Sequence, residues 1–114
     1  MQLGQNVPAD KPGRERLPNR RPSITTAFEH CGARFTMTAG HYSDGRLGEI
    51  FLNAAHAASA LDAIMSDAAI SISFALQRGA ALDDIRSAMK RNSQGVPSSP
   101  IGQALDLLAT EQPA

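Results

Sequence analysis

The chain has 114 residues with formal net charge zero and a single cysteine, Cys31. That length suits one domain with one modest core, and the charge balance argues against a globally basic nucleic-acid binder. One thiol excludes an intramolecular disulfide, and no apolar run approaches the roughly 20 residues of a membrane span, so the expected location is the cytoplasm.

The zero average hides an asymmetry. Residues 1–21 carry Lys11, Arg14, Arg16, Arg20 and Arg21 against Asp10 and Glu15, a local excess of +3 that the remainder balances. Residues 1–22 also hold four prolines and few large apolar side chains. Such a segment buries too little to offset its ordering entropy, so it reads as a flexible basic arm over residues 1–22, followed by a folded domain over 23–112. Arg14, Arg16, Arg20 and Arg21 are the residues of that arm suited to phosphates or an acidic partner.

From Ser23 the pattern turns to period two. Ile24, Thr26 and Phe28 alternate with small polar residues, His30-Cys31-Gly32 supplies a turn, and Phe35 and Met37 continue the alternation as a hairpin. Ser43-Asp44-Gly45 is a second turn signal, and residues 48–53 form a third strand. Residues 59–78 have helical period, with Leu61, Ile64, Met65, Ala68, Ile72, Ala75 and Leu76 on one face and a narrower stripe of Ala63, Ile70 and Phe74 opposite. A helix with two apolar sides is expected to be covered on both, and Gly79 is placed to stop it.

Leu82, Ile85 and Met89 mark a short helix with Asp83 and Asp84 at its start. Ser99 as N-cap and Pro100 at the first helical position open a last helix, with a stripe of Ile101, Ala104, Leu105 and Leu108 and a stop at Pro113. The predicted architecture is α+β: a three-stranded antiparallel meander packed against a central helix plus two shorter C-terminal helices, with a disordered N-terminal arm.

Motifs of chemistry are sparse. His30, Cys31, His41 and His56 match no common zinc spacing, so no metal site is expected. Cys31 sits in a turn with no orienting base, and the glycines at 40, 45 and 48 have no phosphate-loop spacing. No cofactor and no catalytic residue are expected. The densest polar cluster, Asp44, Arg46 and Glu49, is the candidate binding site, with Arg46 as the anion partner; its plain alternative is a turn with a solvated ion pair. Asp67 inside the long helix is a lesser candidate.

Three stretches taken together carry a resemblance: LPNRR at residues 17–21, YSDGRLGEIFLN at 42–53, and SDAAISISFALQRGAALDDI at 66–85. They resemble the C-terminal region of vitamin B12-dependent (class II) ribonucleotide reductases, assigned to the TSCPD domain family, over residues 17–89. In that family the same order runs LPNRR, a hairpin, a segment like GRLGEIF, and a helix ending in leucine-glutamine-x-glycine, matched here by Leu76, Gln77 and Gly79. The resemblance implies a TSCPD-like domain over residues 23–112.

The departures shape the functional expectation. Those enzymes carry a large barrel with the radical cysteine, cobalamin and nucleotide sites, and end in a cysteine-rich tail; Ser98-Ser99-Pro100 stands where the motif that names the family carries a cysteine. The expectation is a free-standing, non-catalytic accessory or binding module in DNA-precursor metabolism, even though similarity alone would label it a ribonucleoside-diphosphate reductase. Its expected partner is a ribonucleotide reductase or another nucleotide-metabolism protein, with no membrane involved. Two alternatives stay open: a small nucleic-acid-binding protein working through the basic arm, and a self-assembling module whose homodimer interface holds Ile70 and Phe74.

Overall fold

A computed structural model describes residues 13–55 and 59–111. Three strands, β1 (Ser23–His30), β2 (Ala33–His41) and β3 (Leu47–Ala54), form an antiparallel sheet in the order β1-β2-β3. Three helices follow: α1 (Ala60–Gln77), α2 (Leu82–Ala88) and α3 (Pro100–Glu111). The α+β meander with one long and two shorter helices is the architecture expected from the sequence. His56 and Pro113 lie outside the described residues, as do Lys11 and the rest of the arm's first twelve residues.

Local chemistry sets the joints. Cys31 and Gly32 sit at φ 50° and 82°, the positive values that a two-residue hairpin between His30 and Ala33 demands. Ser59 caps α1 by accepting from the Asp62 amide at 3.0 Å. At the other end Ala80 N–H donates to Ala75 and Gly79 N–H to Leu76, with Gly79 at φ 98°, a Schellman stop. Ser99 Oγ accepts from Gly102 N–H at 3.1 Å and opens α3.

The core lies on one face of the sheet. Phe35, Met37 and Ala39 of β2 and Ile50 and Leu52 of β3 meet Met65, Ala69, Ile72 and Leu76 of α1 and Ile101, Ala104, Leu105 and Leu108 of α3. The α3 stripe is the one that the periodicity predicts. The α1 stripe differs. Leu61 and Ile64, expected inside, are exposed, and so are Ile70 at 46% and Phe74 at 47%, so α1 is covered on one side rather than two. The reason is its position at the sheet's edge, where β3 and α3 pack against one sector of it.

That position explains an unpredicted polar row on the buried sector. Ala54 N–H donates to Asp62 Oδ1 (2.8 Å), Ser66 Oγ–H to Leu52 O (3.0 Å), Ile50 N–H to Ser73 Oγ (2.8 Å), and Gln77 Nε2–H to Gly48 O (3.1 Å). The helix side chains thus take the place of a fourth strand and close the backbone edge of β3. By length and composition α1 is also apolar enough to cross a bilayer, although no run of that kind was expected. In this fold its Met65, Ala69, Ile72 and Leu76 lie in the core, while Leu61, Ile64, Ile70 and Phe74 are exposed.

Candidate functional site

The sheet's register breaks at one end. Gly40 pairs with Glu49 but His41 pairs with Leu47, leaving Gly48 as the extra residue of a bulge. The two glycines there admit close neighbours. A Cβ on Gly40 would stand 2.7 Å from Glu49 Cγ, and one on Gly48 would stand 2.6 Å from the Tyr42 ring and 2.9 Å from Leu17. Both spaces are filled from elsewhere in the chain, by the Glu49 carboxylate and by residues 14–21.

Those residues are the described part of the basic arm, and they are fastened. Glu15 N–H donates to the last carbonyl of α1, Gln77 O, at 2.7 Å. Arg14 Nε–H donates to Gln77 Oε1 at 2.8 Å, while the Arg14 guanidinium lies 4.3 Å over the Phe74 ring. The Tyr42 hydroxyl donates to Glu15 O. Arg21 forms a two-pronged pair with Glu49, through Nε to Oε2 and through NH2 to Oε1 at 3.2 Å; its NH1 donates to Pro18 O and Asn19 O. Arg20 is exposed and Arg16 is engaged.

The candidate residues Asp44, Arg46 and Glu49 do not form one cluster. Asp44 and Arg46 sit on the exposed β2–β3 turn: Asp44 Oδ1 accepts from Arg46 N–H (3.1 Å) and Oδ2 from Arg46 Nε–H (2.7 Å). The rest of the Arg46 fork donates to both Glu15 oxygens at 3.0 Å, and the guanidinium stacks 4.5 Å from the Tyr42 ring. Glu49 is buried at 8% exposure and belongs to Arg21. Among the described side chains, the two groups are joined through residues 15–21, by Glu15 at one end and Arg21 at the other.

The electrostatics follow from these contacts. Hydrogen bonds from the Arg46 backbone and side chain hold the Asp44 carboxyl below its usual range, and Glu15 and Asp44 push the Arg46 guanidinium further up. Burial, then the Glu15 charge, raises the Tyr42 phenol, which stays a hydrogen-bond donor. Arg46 is therefore spent on its own chain rather than open to an anion.

The other chemistry-bearing residues stand apart. His30 Nδ1 is 2.6 Å from Gln103 Oε1, Cys31 is exposed on the far hairpin, and Asp67 is exposed on α1 with its carbonyl accepting from Ser71. Among the described residues no three His, Cys, Asp or Glu side chains converge.

Sequence reading missed Glu15, Tyr42 and Gln77 as members of this cluster. Gly40 and Gly48 were the available signals, since glycine inside a strand often marks a close approach or a bulge. The three stretches that carry the resemblance, LPNRR, GRLGEIF and the leucine-glutamine-x-glycine ending, meet here as one clasp.

Comparison with known proteins agrees with that convergence. The family model described as "TSCPD domain" matches residues 7–110. A vitamin B12-dependent ribonucleotide reductase of Streptantibioticus cattleyicolor is 44% identical over 73 residues, covering 64% of this chain and 12% of the reductase. That of Streptomyces coelicolor is also 44% identical over 73 residues, covering 64% and 8%, and that of Rhodopirellula baltica is 40% identical over 75 residues, covering 66% and 7%. The chain thus corresponds to a small fraction of each of these relatives' length. No solved structure matches significantly. With nearly the whole described fold inside the matched span, and the clasp built from the stretches that carry the resemblance, the chain belongs to the TSCPD domain family.

Proposed function

We propose that this chain is a non-catalytic binding module of DNA-precursor metabolism, acting in the cytoplasm on a ribonucleotide reductase or another enzyme that handles deoxyribonucleotides. The clasp is the observation that carries this reading. Its polar groups are spent on one another: Arg21 on Glu49, Arg46 on Asp44 and Glu15, Gln77 on Arg14 and Gly48. Groups held so completely position backbone, whereas an acid–base or nucleophilic catalyst must face a substrate. The small fraction of each reductase that the chain matches supports a module rather than the reaction centre.

Two measurements test the reading. Purified chain supplied with ribonucleotide, adenosylcobalamin and a dithiol is expected to yield no deoxyribonucleotide above the blank. Tagged chain is expected to retain a reductase or other precursor enzyme from its host. Turnover in the first measurement, or nucleic acid as the sole companion in the second, would defeat it.

A second reading concerns self-association. Ile70 and Phe74, one turn apart on α1, are about half exposed on a face where the Arg14 guanidinium lies over the Phe74 ring. We assign that stripe to a homodimer interface. Sedimentation of the wild type is expected to show a dimer that Phe74→Glu converts to monomer, and a dimer surviving the substitution removes the assignment.

A further inference from the structure

We infer that the outer edge of β1 takes an extended peptide segment of a partner protein as a further strand, with alternate apolar side chains of that segment entering the cavity beside Ile24. Antiparallel pairing turns the backbone groups of alternate residues toward the neighbouring strand. The His30–Ala33 pair closes the hairpin, and His41 N–H donates to Pro22 O at 2.9 Å. Those contacts put the even-numbered residues of β1 on the β2 side. Ser23, Thr25, Ala27 and Glu29 therefore turn their N–H and C=O groups outward. Glu29 O marks the direction, since Gln103 of α3 reaches it from outside the ladder, Nε2–H donating at 2.8 Å. Ser23, Thr25 and Ala27 are exposed to solvent.

The two edges of the sheet are finished differently. Side chains of α1 close β3, whereas residues 23–28 of β1 hold no charge, no proline and no bulge, the usual devices that keep a foreign strand away. Beside this edge, on the core face, a cavity of about 330 Å³ is lined by Ile24, Thr26, Met37, Ala39, His41 and Leu108. Ile24 is 54% exposed, although it stands across from the buried Ala39. A row of outward backbone donors and acceptors with an apolar cavity on one face is what an added strand uses. Its main chain supplies affinity, and its alternate side chains supply selection.

Charge sets the direction of the segment. At the hairpin end Glu29 stands across from Arg34, so these two offset each other. At the other end Glu49 holds Arg21, and Arg20 beside it is exposed. A segment running antiparallel to β1, the more stable of the two pairings, thus favours a carboxylate at its C-terminal end. Its residues facing Thr26 and Ile24 share the core face and are apolar. Those facing Ala27, Thr25 and Ser23 make the hydrogen bonds and turn their side chains to the outer face. This surface is the sheet edge opposite α1, and it does not rest on which enzyme the module serves.

A peptide with blocked ends, Thr-Val-Thr-Val-Thr-Leu-Ser-Val-Glu, is titrated into the full chain, and amide hydrogen exchange is read by NMR. At saturation the Ser23, Thr25 and Ala27 amides are expected to exchange at least about tenfold more slowly, while those of Ile24 and Thr26, already turned to β2, change little. The Ile24 and Met37 methyl signals are expected to shift with the same midpoint. Thr25→Pro removes one outward N–H and spares the β2 ladder; it is expected to weaken binding about tenfold, the upper scale of one neutral hydrogen bond. The peptide N-methylated at the residues facing Ser23, Thr25 and Ala27 is expected not to bind, a result independent of how the variant folds. Lysine in place of the final glutamate is expected to weaken binding about two- to fivefold. The proposal is overturned by absence of a saturable slowing, or by the N-methylated or lysine peptide binding as well as the original. Methyl shifts without amide protection also overturn it, since the cavity then takes an apolar group with no added strand. So does the same protection on raising the protein concentration alone, which seats a second copy on the edge.

Discussion

Glu49 shows what one residue decides. Its carboxylate lies over Gly40, where any side chain would collide with it, and is met by the fork of Arg21 from nine positions before the first hairpin turn. The pair is mostly withdrawn from water, with side-chain exposures of 29% and 10%. Removing only the cation strands a buried charge, so Arg21→Ala is expected to cost about 2–4 kcal/mol in urea unfolding. Replacing both partners by apolar residues, Arg21→Met with Glu49→Leu, is expected to return to within about 1 kcal/mol of the wild type. Equal losses in the single and double variants would show that the pair is not the source of the effect. Arg46 is the contrast: its partners Asp44 and Glu15 are as open to water as it is, so its substitution is expected to matter little and less at high salt.

At the level of the element, α1 works as a strand substitute. Asp62, Ser66, Ser73 and Gln77 stand on the sector facing β3 and satisfy alternate backbone groups of its edge, so the sheet ends there without exposing a pairing template. Ser73 has the largest consequence because it serves Ile50 at a fully buried point. Ser73→Ala leaves the Ile50 amide without a partner and is expected to cost about 1–3 kcal/mol, the penalty of a stranded buried polar group. Hydrogen exchange at the Ile50 amide should quicken in the same variant; an unchanged rate with unchanged stability would mean that another acceptor takes over. The hydrophobic period of α1 located the helix but not its inner sector. Four of its inward side chains are polar, and their partners belong to a strand eight or more residues away in sequence.

For the molecule as a whole, one carboxylate ties the two C-terminal helices together. Asp106 of α3 accepts from Arg86 Nε–H at 3.1 Å and from Arg91 at 2.8 and 2.9 Å, joining α2 and the loop after it to α3. The hydrogen bonds from Arg91, outweighing burial, hold the Asp106 carboxyl below its usual 3.8. The folded form therefore binds this proton more weakly than the unfolded chain does. Its stabilising contribution is complete above the ordinary carboxyl range and is lost as pH falls through the lower folded value. Asp106→Asn is expected to lower stability at neutral pH and to flatten the acid limb of a stability–pH curve measured by urea midpoint. Parallel acid limbs in the two proteins would remove Asp106 from the pH dependence.

The sequence by itself determined the elements, their order and the family. Alternation, turn chemistry, caps and the Gly79 stop are all written within a few residues of where they act, and the three resembling stretches are contiguous strings. Only the tertiary structure decided that these strings form one clasp, that the candidate cluster splits into an Asp44–Arg46 turn and a Glu49–Arg21 pair, and that α1 has one covered side. Each of those facts depends on which distant backbone lies beside a side chain. Arg14 meets Gln77 across 63 positions, and Arg21 meets Glu49 across 28. Local pattern carries the period of an element; the partner of a charge is fixed only once the bulge at Gly48 and the side-chain-free surface at Gly40 bring the segments within hydrogen-bonding reach.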